Sequence, residues 1–323
     1  MNKILITGGA GFIGSNLAKS FPKDTDIFIV DDLSMGKKEN IKDLKNVTFF
    51  EESILNYEFI NNLLKTENFD YIFHLAAIAS VADSIDRPLE TSQVNFNATL
   101  NILNTLKKIN NLSLKRFVFA SSAAVYGNLA DLPKKESSCV NPATPYAIDK
   151  YASEKYTLSF NQLYGIPTSS VRFFNVYGPN QNPKSPYSGV ISIIIDKFTD
   201  KLNGMDTKFS LYGDGKQTRD FIYVDDVIQA LKLVAYSKEA LGNVYNVGTG
   251  KETSLNELIK MISIIFNLEI NISNYSERDG DIKESFADIE LLENLGFKQR
   301  YTIQQGLEKY IETSIINERI TDM

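Results

Sequence analysis

Tyr146 and Lys150 stand four residues apart in TPYAIDKYASEK, close to one helical turn, so on a helix their side chains share a face. A lysine ammonium beside a phenol favours the phenolate, a base able to take a proton from a hydroxyl group. The spacing alone is common. It recurs at Tyr151 and Lys155, turned about 140° around the same helix, and at Tyr212 and Lys216 in the glycine-rich YGDGK, which reads as a loop. Two features single out Tyr146. Pro145 suits the first turn of a helix. Upstream, the apolar run Arg116 to Ala120 closes on Ser121 and Ser122, at the carboxyl edge where sites of open α/β sheets gather. Ser122 could hydrogen-bond a reacting oxygen and hold it against the phenol.

Proton transfer of this kind goes with hydride transfer, and the start of the chain provides for a hydride carrier. In KILITGGAGFIG, Ile4, Leu5 and Ile6 form a buried strand that stops at Thr7 and yields to Gly8, Gly11 and Gly14. Gly8 permits a tight turn, Gly11 leaves room for a pyrophosphate, and Gly14 lets the following helix pack close to the sheet. The helix N-terminus offers free N–H groups and a positive dipole to phosphates. A second apolar run, Ile27 to Val30, ends in Asp31 and Asp32, placed to accept ribose hydroxyls. Acid there repels a 2′-phosphate, which favours NAD over NADP. Lys37 and Lys38 nearby read as a solvated loop.

The elements that must position these groups alternate as strand and helix, the pattern of a doubly wound parallel sheet. Strands are expected near 3–7, 27–31, 47–51, 70–75, 115–121 and 168–174, with long helices at 89–110 and 146–164. After Asn175 the stretch NVYGPNQNPKSPYSG is crowded with Pro, Gly and Asn and reads as an irregular connection. Beyond it come a helix near 188–200, a strand near 208–212, and a strand-helix-strand through 221–247 that reads as another crossover of the first domain. Helices near 254–266 and 302–316 follow. The expected division is a Rossmann domain of 1–175 plus about 221–247, and a smaller α/β lobe of about 176–220 plus 248–323, with a cleft between.

Composition narrows the function. A net charge of −6 over 323 residues, with no dense basic run, argues against a nucleic-acid surface. The apolar stretches are strand-length, short of the roughly 20 residues that span a membrane. The N-terminus enters a core strand at once, so a signal peptide is not expected. Cys139 is the only cysteine, which rules out an intramolecular disulfide and fits a reducing cytoplasm. With His74 the only histidine, a metal site of these ligands is not expected. His74 lies in YIFHLAA and reads as a hydrogen-bonded core residue.

Gly8, Gly11 and Gly14, the turn SAAVYG from Ser122, and Pro145-Tyr146 with Lys150 together resemble the extended short-chain dehydrogenase/reductases. The likeness is strongest to the UDP-hexose 4-epimerases and runs over nearly the whole chain. It implies a Rossmann-type fold with NAD held by Gly8, Gly11, Phe12, Ile13, Gly14, Asp31, Asp32, Ser53, Ile54, Leu75, Ala76, Ala77, Asn95, Tyr146 and Lys150. It implies catalysis by Ser122, Tyr146 and Lys150. A UDP-sugar would rest on Ser122 and Tyr146, with Asn175 of RFFNVYGP and Arg219 of QTRDFIYVDD at its diphosphate. In ERDGDIKES, Arg278 would meet phosphate and Asp281 the uridine ribose. Arginine forks suit such oxygens.

Departures from the family are informative. Ser53 stands where relatives often have an adenine-contacting Asp, and Ala124 where some have a sugar-contacting Thr. Sugar-nucleotide 4,6-dehydratases carry an Asp-Glu pair right after the catalytic Ser or Thr; here those places are Ala123 and Ala124, so elimination lacks its acid and base. The small Ser285 matches the position that gates a 2-acetamido group, where a large Tyr excludes it, so UDP-GlcNAc and UDP-GalNAc are expected substrates alongside UDP-Glc and UDP-Gal. Phe96, Leu103, Leu106, Leu158 and Phe160 read as core, and the resemblance adds a homodimer through the outer faces of their helices. The reaction expected is C4 epimerisation through a 4-keto sugar, with NAD unchanged overall. Two other readings stand beside it: a dehydrogenase or reductase that releases its reduced cofactor, and a dinucleotide sensor without catalysis.

Overall fold

The computed structural model describes residues 2–109, 113–183, 189–277 and 282–321, with side chains through 314. Seven parallel strands form the central sheet. Six are β1 (Lys3–Thr7), β2 (Asp26–Asp31), β3 (Val47–Glu51), β4 (Tyr71–His74), β5 (Arg116–Ser122) and β6 (Thr168–Phe173), and Val244–Val247 completes the sheet beside β6. Across the sheet the order is β3-β2-β1-β4-β5-β6 and then Val244–Val247. The chain builds outward from β1 on one side and from β4 on the other. The order therefore reverses between β1 and β4, where a crevice opens beyond the carboxyl ends.

Both faces of the sheet are covered, as the near-continuous apolar strands require. Alternate residues point to opposite sides. Ile4, Ile6, Ile27, Ile29, Phe73 and Val118 pack with Leu17, Val227, Leu231 and Val234. Leu5, Phe28, Val30, Ile72, Phe117 and Phe119 pack with Ile102, Leu103, Leu106 and Phe160. Each such side chain contributes about 1.5–3 kcal/mol on burial, so the strands carrying the site cannot slip register cheaply.

The helix Pro145–Tyr164 starts where its sequence dictates. Thr144 caps it by accepting from the Ala147 N–H at 3.3 Å, Pro145 occupies the first turn, and Gly165 closes it at φ +68°. The helix expected over 89–110 is three pieces, Pro88–Ser92, a π-helical Gln93–Asn97, and Ala98–Ile109. The wide turn leaves the Asn95 carbonyl to accept from Ser153 Oγ at 2.8 Å and Thr99 Oγ1 at 3.1 Å, bonds that periodicity alone does not announce.

The unit at 221–247 differs from its reading as a simple crossover. Val244–Val247 does join the central sheet, but Phe221–Tyr223 pairs with a short strand at Asn175–Tyr177 in a separate two-stranded sheet. The place beside β6 is already filled by Val244–Val247. A strand at Asn271–Tyr275, parallel to Lys208–Tyr212, was not expected, because NISNY is mostly exposed and lacks an apolar face. Among the described residues no helix is long and apolar enough to cross a membrane.

Candidate active site

At the reversal point β1 runs into Gly8, whose φ of +70° suits glycine. A Cβ on Gly8 would lie 2.8 Å from the Ala76 backbone across the crevice. A Cβ on Gly14 would lie 2.2 Å from the Gly8 carbonyl oxygen, so the helix α1 (Phe12–Lys19) packs on the loop only with glycine there. Gly11 is different: its Cβ would meet only that same oxygen, at 3.2 Å, and otherwise open space. A loop closed tightly beneath and open above, ending at a helix N-terminus, is a fit cradle for a pyrophosphate. Phe12 and Ile13 pack their side chains against the core below it.

Asp31 and Asp32 part company. Asp31 is buried at the end of β2, accepting from the Ala10 N–H at 2.9 Å and the Leu33 N–H at 2.9 Å. Burial pushes its pKa up while these backbone bonds pull it down. It therefore faces the glycine loop. Asp32 turns into its own loop, accepting from the Ser34 N–H at 3.0 Å and the Ser34 hydroxyl at 2.6 Å. The Ser53 hydroxyl accepts from the Leu55 N–H at 3.2 Å, and the Ile54 side chain belongs to the core.

On the other bank, Leu75, Ala76 and Ala77 follow β4, and the Ala76 N–H reaches Thr7 Oγ1 at 3.3 Å. Asn95 is buried and clasps Ile78 twice, accepting from its N–H at 2.8 Å and donating to its carbonyl at 3.0 Å. His74 is the core residue its sequence suggests. Its ring nitrogens meet Thr7 Oγ1 at 2.7 Å and Thr99 Oγ1 at 3.0 Å. Burial, helped by the nearby Lys150 ammonium, drives its pKa down to about 3, so it is neutral.

Beside this crevice lie Ser122, Tyr146 and Lys150. Ser122 ends β5 beside the Tyr146 phenol and is the group that draws the phenol's pKa down. Its hydroxyl oxygen also accepts from the Ala124 N–H at 3.2 Å. Lys150 is buried and donates to the Ala120 carbonyl at 2.8 Å. Its ammonium sits 5.9 Å from the centre of the Tyr146 ring. Burial lowers the Lys150 pKa to about 8, with Asp149 opposing. The phenol differs from the sequence expectation: burial raises its pKa, and the group pulling it down is Ser122. The ammonium is aimed at a backbone carbonyl, not at the phenolic oxygen.

The rival pairs are accounted for. Tyr151 packs with Val125, Tyr126 and Phe174, and Tyr212 stacks on Tyr275 with ring centres 5.3 Å apart.

Farther along the same edge, Asn175, Arg219 and Ser285 come together around Asp220. The Asn175 N–H and side-chain amide donate to the Asp220 carbonyl at 3.0 and 3.2 Å, and the Asp220 N–H donates to the Ser285 carbonyl at 2.9 Å. Arg219 is half-buried and donates to the Thr218 carbonyl at 2.8 Å. Arg278 and Asp281 lie outside the described residues.

A buried ion pair tied to Ser121 near the end of β5 was not read from the sequence. Arg172 of β6 grips Glu154 with two bonds, Nε to Oε2 at 2.9 Å and Nη2 to Oε1 at 2.6 Å. Ser121 donates to the same Oε2 at 2.7 Å. A lone arginine inside the apolar strand SSVRFF, and a glutamate one turn past Lys150, were the available signals.

A doubly wound sheet with a glycine-rich first turn and a Ser–Tyr–Lys set at its carboxyl edge defines a nucleotide-dependent oxidoreductase-type fold of the short-chain dehydrogenase/reductase kind. The chain belongs to the NAD dependent epimerase/dehydratase family, whose sequence model matches residues 4–248. NAD is its cofactor, and solved relatives carry it bound. A solved UDP-N-acetylglucosamine 4-epimerase from Methanobrevibacter ruminantium, in complex with UDP-N-acetylmuramic acid, is 37% identical. It superimposes with a TM-score of 0.89 over 98% of this chain and 99% of that one. The UDP-glucose 4-epimerase of Mycolicibacterium smegmatis is 35% identical over 96% of this chain and 97% of its own length. The human dTDP-D-glucose 4,6-dehydratase is 31% identical over 96% of this chain and 89% of its own.

Proposed function

We propose that the protein interconverts UDP-hexoses at C4, with UDP-GlcNAc/UDP-GalNAc and UDP-Glc/UDP-Gal as candidate pairs. The observation that carries this reading is the Tyr146 phenol set beside Ser122 at the edge of the NAD crevice, with Ser122 followed at positions 123 and 124 by alanines that can neither give nor take a proton. Proton transfer at an alcohol is supplied, whereas the acid and base for eliminating water are missing.

Gly8, Gly11 and Gly14 with the α1 N-terminus would hold the cofactor's pyrophosphate, and Asp31 its adenosine ribose. Bound NAD supplies a hydride acceptor and donor for C4 of the sugar. Ser122 would hold the sugar 4-oxygen, and Tyr146, as the phenolate that the positive nicotinamide of bound NAD would favour, would take the 4-hydroxyl proton and later return it. Lys150, charged below about pH 8, ties the end of β5 through Ala120 and keeps positive charge near the phenol. Between the two proton transfers the 4-keto sugar turns about its phosphate linkage while Asn175, Arg219 and the 278–281 segment hold the nucleotide. Small Ser285 leaves room for an acetamido group.

The division into a Rossmann domain and a sugar-nucleotide lobe, with the boundaries given above, belongs to this proposal, as does a cytoplasmic location. So does a homodimer. Leu89, Ile148 and Leu163, on the helices expected to pair, are 72%, 51% and 67% exposed, and size measurement tests it.

Tyr146→Phe tests the core of the proposal. The variant should retain NAD and lose about 10²–10⁴-fold in turnover; near-normal turnover would remove Tyr146 from the chemistry.

A further inference from the structure

Asp220 is fully buried, yet its carboxylate has no cationic partner among the hydrogen bonds it makes. It accepts four bonds from two separate segments. Oδ1 takes the Thr249 N–H at 2.8 Å and the Thr249 hydroxyl at 2.7 Å. Oδ2 takes the Gly250 N–H at 3.0 Å and the Ala287 N–H at 3.1 Å. Gly248 is the space this carboxylate occupies, because a Cβ there would come within 2.5 Å of Oδ2. The main chain of the same residue holds two more segments: its carbonyl accepts the Asn175 N–H and amide, and its N–H donates to the Ser285 carbonyl. A carboxylate accepts at both oxygens, whereas an amide accepts at one. An asparagine in this place would turn its NH₂ toward the Gly250 and Ala287 N–H groups in one orientation and toward the Thr249 N–H in the other.

We infer that Asp220 is the positioning residue of the sugar-nucleotide half of the site, fixing Asn175, Arg219 and Ser285 against one another through a carboxylate anchored on the 249–250 turn. The inference rests on the substrate roles proposed above for those three residues. None of the hydrogen bonds of Asp220 reaches the glycine loop, Tyr146 or Lys150. Its loss should therefore separate substrate binding from cofactor retention.

The test uses the NAD-loaded protein and UDP as the probe. Asp220→Asn and the milder Thr249→Val, which removes the hydroxyl donor to Oδ1 and leaves the Thr249 N–H in place, are compared with wild type by calorimetric titration with UDP, by NAD released on acid denaturation, and by steady-state kinetics. Expected are a weakening of UDP binding and a rise in KM of tenfold or more for Asp220→Asn. Thr249→Val should show a smaller rise, with NAD content unchanged in both. Should Asp220→Asn fail to fold, Thr249→Val alone must still raise the UDP Kd. A lowered Tm with UDP Kd and KM unaltered would make Asp220 a staple of the fold only and overturn the inference. Wild-type protein that binds no UDP would overturn the substrate reading, and the inference with it.

Discussion

The Arg172–Glu154 pair supports the edge on which Ser122 sits, and its removal has a calculable cost. The two side chains are 4% and 1% exposed and joined at 2.6 and 2.9 Å. Arg172 Nη1 also donates to the Tyr126 hydroxyl at 2.8 Å and the Glu136 carbonyl at 3.1 Å. Removing one partner leaves the other charge buried, a loss of about 3–5 kcal/mol. Exchanging both for apolar groups removes the stranded charge and should cost much less than the two single losses together. Arg172→Met and Glu154→Leu should therefore each shift the urea midpoint substantially. Glu154→Gln falls at the lower end, because glutamine keeps one acceptor. The double variant Arg172→Met/Glu154→Leu should cost at least about 2 kcal/mol less than the sum of its two single losses, as expected for groups in one network. Ser121 loses its acceptor in the Arg172→Met/Glu154→Leu background, so turnover should fall even where stability recovers. Single costs below about 1 kcal/mol that simply add would refute the claim that this pair holds the edge.

Three further outcomes follow from the geometry. His74 has a folded pKa of about 3 against an ordinary 6.5, so below pH 6.5 the unfolded chain gains a proton that the folded chain refuses. Stability should fall by about 1.4 kcal/mol per pH unit from this group between roughly pH 6 and 4, and the wild-type minus His74→Gln difference in urea unfolding should show that slope. Gly14→Ala drives a Cβ to 2.2 Å from the Gly8 carbonyl oxygen, so purified protein should retain little NAD, measured by acid release. Ser285→Tyr should suppress turnover of UDP-GlcNAc while sparing UDP-Glc; unchanged selectivity in a competition assay would refute the gate.

What could be read beforehand was what local sequence controls. The glycine spacing after β1 and the proline-led helix bearing Tyr146 and Lys150 are each written within a dozen residues, and they stand where expected. His74 was legible because an isolated imidazole in an apolar run must be neutral and bonded. What escaped depends on contacts between distant segments. Glu154 and Arg172 are meaningful only once a helix is laid on β6. Asp31 and Asp32 look equivalent in sequence, and only the fold sets one against the Ala10 and Leu33 amides and the other against Ser34. Where the Lys150 ammonium points is of the same kind: shared helix face gives proximity to the phenol, but the Ala120 carbonyl decides the direction of its hydrogen bond. The Gln93–Asn97 π turn and the exposed Asn271–Tyr275 strand carry no periodic signature.

The central claim is a closed redox cycle at C4 on a retained cofactor. Purified protein with no added NAD, incubated separately with UDP-GlcNAc and UDP-Glc and resolved from their C4 epimers by chromatography, tests it directly. The account predicts interconversion with no net change at the nicotinamide absorbance band. Net cofactor reduction, a 4-keto-6-deoxy product, or no epimer even after NAD is supplied would contradict it.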